Sequence, residues 1–274
     1  MIKPHKPVSS RKVAPTPKPP KPLAQDGERL SKRVAHLMHC SRREAEQYIE
    51  GGWVSVNGQV VEAPMARVTN QTVVVDPHAS LMTQLDVTLL LHKPPTYEAM
   101  AAPGEANKRV KPAHQLLLPG NHWAQDPSGV RLLKHHFIKL TACVPLEVAA
   151  SGLVVFTQDW RVLRKLTEDA TIIEHELVVE VQGEVAPEVL QRLNAGLNSD
   201  GQPLPPVKVS INSTSDTSTR LRVALKGAHP GLIAYLCERV GLHIQSIKRQ
   251  RVGRVALSGL PEGQWRYLHE GERF

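Results

Sequence analysis

Cysteine is scarce in this sequence. Its three residues, Cys40, Cys143 and Cys237, stand far apart. An odd number at such spacing fits neither a disulfide framework nor a cysteine-based zinc site, so reduced, buried thiols are expected. No apolar run approaches the roughly 20 residues that cross a bilayer, and the N-terminus lacks the apolar core of a signal peptide. The expectation is a cytoplasmic protein with no membrane attachment. Glycine-rich phosphate loops, Walker patterns and Ser/His/Asp signatures are also missing. His36, His39 and Cys40 share a helix face at ligand-like spacing, but no carboxylate or fourth ligand accompanies them. They read as core or surface residues, and no metal is expected. Acidic residues are in deficit, 26 against 34 Lys and Arg, for a net charge of +8. That balance favours a polyanionic partner, nucleic acid first and an acidic membrane surface second.

What is present divides along the chain, whose 274 residues suffice for about two domains. Residues 1–26 are rich in Pro and Lys and poor in large apolar side chains, which cannot build a core. They read as a flexible basic tail that either grazes phosphates or merely solubilises. From Gly27 the character changes. Leu30, Val34 and Leu37 fall at helical spacing, with Arg29, Lys32, Arg33 and His36 elsewhere around the cylinder. Ser41-Arg42-Arg43-Glu44 forms a capping box for a second helix that buries Ala45, Tyr48 and Ile49 and stops at Gly51-Gly52. Arg42 and Arg43 lie in its first turn, where the helix dipole disfavours cations and an anionic partner would offset the cost. Asn57-Gly58 between alternating segments marks a hairpin, and Thr72 to Val75 a last strand of this region.

Beyond residue 85, Thr88 to His92 reads as a buried strand ended by Lys93-Pro94-Pro95, followed by a long aperiodic loop over 96–130. His135-His136, among Arg131, Lys134 and Lys139, reads as a solvated or RNA-facing strip. Glu147 precedes the small-residue turn Ala149-Ala150-Ser151-Gly152, which lets the backbone pass close to a ligand. A lone acid there is either a group for chemistry, its pKa perturbed by desolvation, or a solvated loop carboxylate. The remaining pattern predicts strands at 153–157, 176–181, 207–211, 220–225, 242–248 and 252–257. Helices are expected at 160–168, 187–195 and 230–240. Strands interrupted by helices without regular alternation indicate an α+β fold, a mixed sheet with flanking helices. Lys248, Arg249 and Arg251 alternate on a strand, as either a phosphate track or an edge-strand charge row.

Two resemblances attach to these residues. Arg29-Leu-Ser-Lys32, Cys40-Ser41-Arg42-Arg43-Glu-Ala-Glu and Ile49-Glu-Gly-Gly-Trp-Val54-Ser-Val56-Asn57-Gly58 resemble the small RNA-binding domain first seen in ribosomal small-subunit protein four, the S-four domain. The resemblance implies that Arg29, Lys32, Ser41, Arg42, Arg43 and Asn57 face RNA. From about residue 27 to the end, the order of motifs is similar to the bacterial ribosomal RNA pseudouridine synthases of the RsuA, RluB, RluE and RluF branch. Those motifs are the S-four domain, Leu-Leu-Leu-His-Lys93-Pro94, Ser151-Gly152-Leu153, Lys248-Arg249-Gln-Arg251-Val-Gly253 and Leu260-Pro-Glu-Gly-Gln-Trp265-Arg. The resemblance implies an S-four domain at 27–85 and a synthase-like catalytic domain at 86–274. It also implies ribosomal RNA or a pre-ribosomal particle as partner, a monomer, and neither metal nor cofactor. The family's Arg-Leu-Asp-x-Asp-Thr-Ser/Thr-Gly-Leu falls on Pro145 to Leu153, which puts the catalytic aspartate on Glu147. Lys248, Arg249 and Arg251 would then serve RNA binding. The chain departs from the family elsewhere. Its Lys-x-Tyr falls on His175-Glu176-Leu177, losing the ring, and its Gln-Ile-Arg-Arg-Met falls on Leu232 to Leu236, losing the arginines. Tyr235 and His175 are the candidates to replace ring or charge. Two readings follow: a synthase that uses Glu147, and a catalytically impaired RNA-binding protein on the same scaffold, for example in ribosome assembly.

Overall fold

The computed structural model describes residues 27–81, 86–100, 110–199 and 201–274. The basic tail assigned to 1–26 lies outside the described residues. The chain divides into two compact units that part after Leu81.

In the first unit Leu30–Leu37 (α1) and Arg42–Glu50 (α2) share a small core of Leu30, Val34, Ala45 and Ile49, joined by Val54 and Val68. The start of α2 follows from its residues. Ser41 Oγ accepts from the Glu44 amide at 3.2 Å, and the Glu44 carboxylate accepts from the Ser41 amide at 2.7 Å. Two amides without intrahelical partners are thereby satisfied. Val54–Val56 (β1) and Gln59–Val60 (β2) form the hairpin across Asn57 and Gly58, whose φ values of 51° and 81° suit a type I′ turn. Val73–Val75 (β3) pairs antiparallel with β1 on its other side.

The second unit is built on a mixed sheet. Its main strands are Thr88–Lys93 (β4), Ser151–Thr157 (β5), Glu174–Gln182 (β6), Val207–Thr214 (β7), Ser218–Lys226 (β8), Ile244–Val252 (β9) and Trp265–Tyr267 (β10). Their order is β7-β8-β6-β9-β5-β4-β10, and Thr141–Ala142 and Val255–Ala256 add short strands to β5 and β9. Only β5 and β9 of these pair in parallel. The residue patterns explain the layering. β4 and β5 are buried at every position, as continuous apolar strands inside a sheet require. β6 and β8 alternate instead, with Leu177, Val179, Val181, Leu221, Val223 and Leu225 turned inward. Pro187–Ala195 (α4) and Leu232–Arg239 (α5) cover that inward face, and Trp160–Glu168 (α3) follows β5.

Four expectations change. Ser151 and Gly152 already belong to β5, so the turn before it is closed by the Ala150 amide donating to the Glu147 carbonyl at 3.1 Å. Helix α5 starts at Leu232 rather than 230, because Gly231 takes a left-handed conformation, φ 86°, at its N-cap. The strand expected at 242–248 runs on to Val252 as β9, the turn falls at Gly253, φ 57°, and of the strand expected at 252–257 only Val255–Ala256 forms, pairing back antiparallel on β9. The polar stretch Lys248 to Arg251 stays in the strand because Arg249 finds its partners inside the protein. His136 is not in a surface strip. It is buried, and its Nδ1 lies 2.7 Å from Tyr267 Oη. In the long loop, short 3₁₀ turns at Ala113–Leu116 and Pro119–Asn121 lie near β10, where Trp265 Nε1 donates to the Leu118 carbonyl at 2.8 Å.

Candidate functional site

Glu147 sits between two buried cations. Arg249 on β9 is 2% exposed. Its Nε donates to the Leu153 carbonyl at 2.8 Å, Nη1 to Pro145 at 2.6 Å and Nη2 to Val144 at 3.2 Å. Neutral carbonyls satisfy these donors without balancing the charge. Burial pushes the guanidinium down to about 9, and the Glu147 charge acts in the opposite direction. Lys93, at the end of β4, is also fully buried. Its Nζ donates to Ala150 at 2.6 Å, Pro94 at 2.9 Å and Val148 at 3.4 Å. Burial first, then the charge of Arg249, lower it to about 8, with Glu98, Glu147 and Glu262 opposing. Arg249 therefore holds the chain just before Glu147, and Lys93 holds it just after. The close approach of β5 to β9 needs Gly152 (φ 118°), where an added Cβ would stand 2.3 Å from the Arg249 carbonyl oxygen.

The Glu147 carboxylate itself accepts from the Gly231 amide at 2.7 Å. It therefore stands at the N-terminus of α5, where backbone amides and the helix dipole favour an anion. Glu147, Arg249, His175, Leu177 and Ile233 line one pocket. Its free volume, about 20 Å³, holds a water molecule and not a base. His175 is 4% exposed, and burial, reinforced by Arg249, His229 and Arg251, pushes it down to about 3, so its ring is neutral. Tyr235 does not line this pocket. Its hydroxyl donates to Ser199 Oγ at 3.0 Å. Of the two candidates to replace the missing ring, only His175 is in place. Among the described residues no group of three or more His, Cys, Asp or Glu could hold a metal ion.

The residues expected to face RNA fall into three groups. Lys32, Arg42 and Arg43 are exposed on α1 and α2, Arg42 in an ion pair with Glu46 at 3.1 Å. Arg29, Ser41 and Asn57 have structural work. Arg29 is the half-buried N-cap of α1, Ser41 caps α2, and Asn57 Oδ1 accepts from the Thr72 amide at 3.0 Å. Of the expected track of Lys248, Arg249 and Arg251, only Arg249 turns inward. Arg249 is buried beneath Glu147, whereas Lys248 and Arg251 pair with Val178 and Glu176 across a register shift that leaves both on the opposite face. The role of Arg249 had one signal in the sequence, a basic residue within an alternating strand. Nothing in that strand identified it as the inward one.

Comparison with known proteins agrees with this architecture. Residues 28–74 match the family model described as the S4 domain. Over 247 residues the chain is 28% identical to a protein of Aquifex aeolicus called an uncharacterized RNA pseudouridine synthase, covering 89% of this chain and 94% of that one. It is 28% identical to ribosomal large subunit pseudouridine synthase B of Yersinia pestis, covering 88% and 73%. Identity to the dual-specificity RNA pseudouridine synthase RluF of Escherichia coli K12 is 24%, covering 91% and 78%. A crystal structure of a pseudouridylate synthase superposes with a TM-score of 0.53 at 18% identity, covering 88% of this chain and 96% of that one. The match over residues 28–74 is to an S4 domain, and the chain shares the fold of the pseudouridylate synthase. Its relatives include the bacterial RNA pseudouridine synthases of the RluB and RluF kind.

Proposed function

We infer that the chain is an RNA pseudouridine synthase acting on ribosomal RNA, with Glu147 as the carboxylate that meets C1′ of the target uridine. The observation that carries the role of Glu147 is the pocket it lines together with the buried Arg249. The reaction breaks the C1′–N1 bond, turns the base and joins C1′ to C5, while C5 loses a proton and N1 gains one. Nothing is added or removed overall, so a flipped-out nucleotide and a positioned carboxylate are the essential requirements. The Glu147 charge offsets part of the cost of burying the Arg249 guanidinium. The Gly231 amide occupies one oxygen of the Glu147 carboxylate and leaves the other for substrate. His175 supplies a planar, uncharged ring to the pocket that Leu177 also lines. The partner is ribosomal RNA or a pre-ribosomal particle in the cytoplasm, bound by a monomer.

One observation favours a second reading, an RNA-binding protein without turnover. The pocket's free volume holds only a water-sized group. A base can enter only if the lining side chains move apart. Single-turnover conversion of uridine in ribosomal RNA or pre-ribosomal particles separates the two. Glu147→Gln keeps an acceptor for Gly231 but removes the charge, so turnover should fall at least about 1000-fold with RNA affinity nearly unchanged. Glu147→Asp should also lose activity, since an ångström of misplacement costs about 100-fold. Wild-type turnover equal to that of Glu147→Gln on every such substrate leaves the RNA-binding reading.

A further inference from the structure

Among the described residues, the half of the sheet formed by β7, β8, β6 and β9 has helices packed on one face only. Its other face is open, and the strand register gives its pattern. Across β7, β8, β6 and β9, Lys208 lines up with Ala224, Glu176 and Arg251, and the next row is Ser210, Arg222, Val178 and Lys248. Arg220 pairs with Glu180 beyond these rows, and Lys226 with Glu174 before them. Six cations thus share the face with three carboxylates. Glu174 is 47% exposed and pairs with Arg251 at 2.5 Å, and the other two carboxylates lie low. Glu176 and Glu180 side chains are 16% and 25% exposed, whereas Arg222 and Arg220 above them are 55% and 56% exposed.

The acids are also satisfied from within. Glu176 accepts from Arg222 at 2.7 Å and from Arg251 at 3.1 Å, and these contacts hold its carboxyl below the usual range. Glu180 accepts from Ser218 at 3.2 Å and Ser246 at 3.3 Å and pairs with Arg220 at 3.3 Å. Each guanidinium keeps further N–H donors for an outside acceptor. Lys208 and Lys226 are exposed and Lys248 is half-buried. A groove of about 300 Å³ runs over Val178 between Arg220 and Lys248.

We propose that this open sheet face binds the phosphate backbone of RNA, at a site separate from the Glu147 pocket and independent of whether Glu147 turns over. The pocket includes Leu177, whose side chain points to the helix-covered face, so the groove lies on the reverse of the sheet. One short stem-loop seated at Glu147 could not reach both surfaces without wrapping round the sheet edge. The ligand is therefore a large folded RNA, gripped by a second segment. Phosphate fits better than an acidic protein patch. On β8 Arg220 and Arg222 stand two residues apart and Lys226 four residues beyond, spacings of about 7 and about 14 Å along one line. The face also offers few apolar side chains from which a protein interface could build its core.

The test uses the full chain with Lys208→Glu, Lys226→Glu and Lys248→Glu together, binding a long structured ribosomal RNA fragment across a salt series. The expected result is at least about tenfold weaker binding and a log–log salt slope shallower by about 2 to 3, with thermal melting unchanged. A minimal stem-loop should bind as it does to the wild type. If the Glu variant melts early, the milder Lys→Gln triple variant must still flatten the slope. Unchanged affinity and slope for the long RNA overturn the proposal. Loss of binding to phosphatidylserine vesicles with RNA binding intact would also overturn it, assigning the face to membrane. Glu147→Gln, run in parallel, leaves these slopes alone, so failure of the catalytic reading is seen separately.

Discussion

At the scale of single residues, buried ionisable groups decide the behaviour of the second unit. His136 and His175 are neutral because burial pushes them down to about 4 and about 3. His135 adds repulsion to the first, and Arg249, His229 and Arg251 add it to the second. In the unfolded chain both would titrate near the ordinary value of about 6.5. As pH falls from 6.5 towards 4, the unfolded state takes up protons that the folded state refuses, so stability must fall over that window. Two such groups give a slope of at most about 2.7 kcal/mol per pH unit. Urea titrations between pH 7 and 4 should show it. Both His136→Phe and His175→Leu should make the curve flatter, and a curve unchanged in both variants would mean that other groups set the acid limit.

At the scale of elements, the parallel contact between β5 and β9 forms the site, because it brings the Arg249 strand under the Glu147 turn. Gly152 permits it. Gly152→Ala places a Cβ 2.3 Å from a backbone oxygen, at a φ of 118° that L side chains avoid. The cost should be at least about 3 kcal/mol, read as a large drop in melting temperature and a loss of turnover. A variant that melts within a degree of the wild type would show that the two strands can separate cheaply. The glycine was legible in the sequence as a point of close approach. Its partner was not, since Arg249 lies on a strand 97 residues further along the chain, and no local pattern records which of two basic residues faces inward.

At the scale of the whole molecule, a net charge of +8 is distributed over more than one surface. The first unit exposes Lys32, Arg42 and Arg43 on its helices. Arg42→Ala with Arg43→Ala should weaken structured-RNA binding and reduce the salt slope by up to about two contacts, roughly 0.7 to 0.9 each. The Arg42–Glu46 pair is exposed and contributes little to stability, so folding should be unaffected. Combined with the three-lysine variant of the open sheet face, the slope losses should add. A double set no weaker than either alone would mean that the two surfaces do not hold RNA at the same time.

The sequence by itself determined what short-range chemistry controls. The capping box at Ser41–Glu44, the Asn57-Gly58 hairpin and the apolar strand before Lys93 each rest on residues a few positions apart, and each formed where its residues required. The α+β class followed from the same local periods. Only the tertiary structure decided that Arg249 lies beneath Glu147 instead of facing solvent, and that His136 pairs with Tyr267. It also decided that the Glu147 carboxylate meets the Gly231 amide. In these cases a polar side chain is taken out of water, and whether that is tolerable depends on partners brought by distant strands and helices. The polar character of a residue is written in its own position. The place where that polarity is satisfied is set by the packing of the whole sheet.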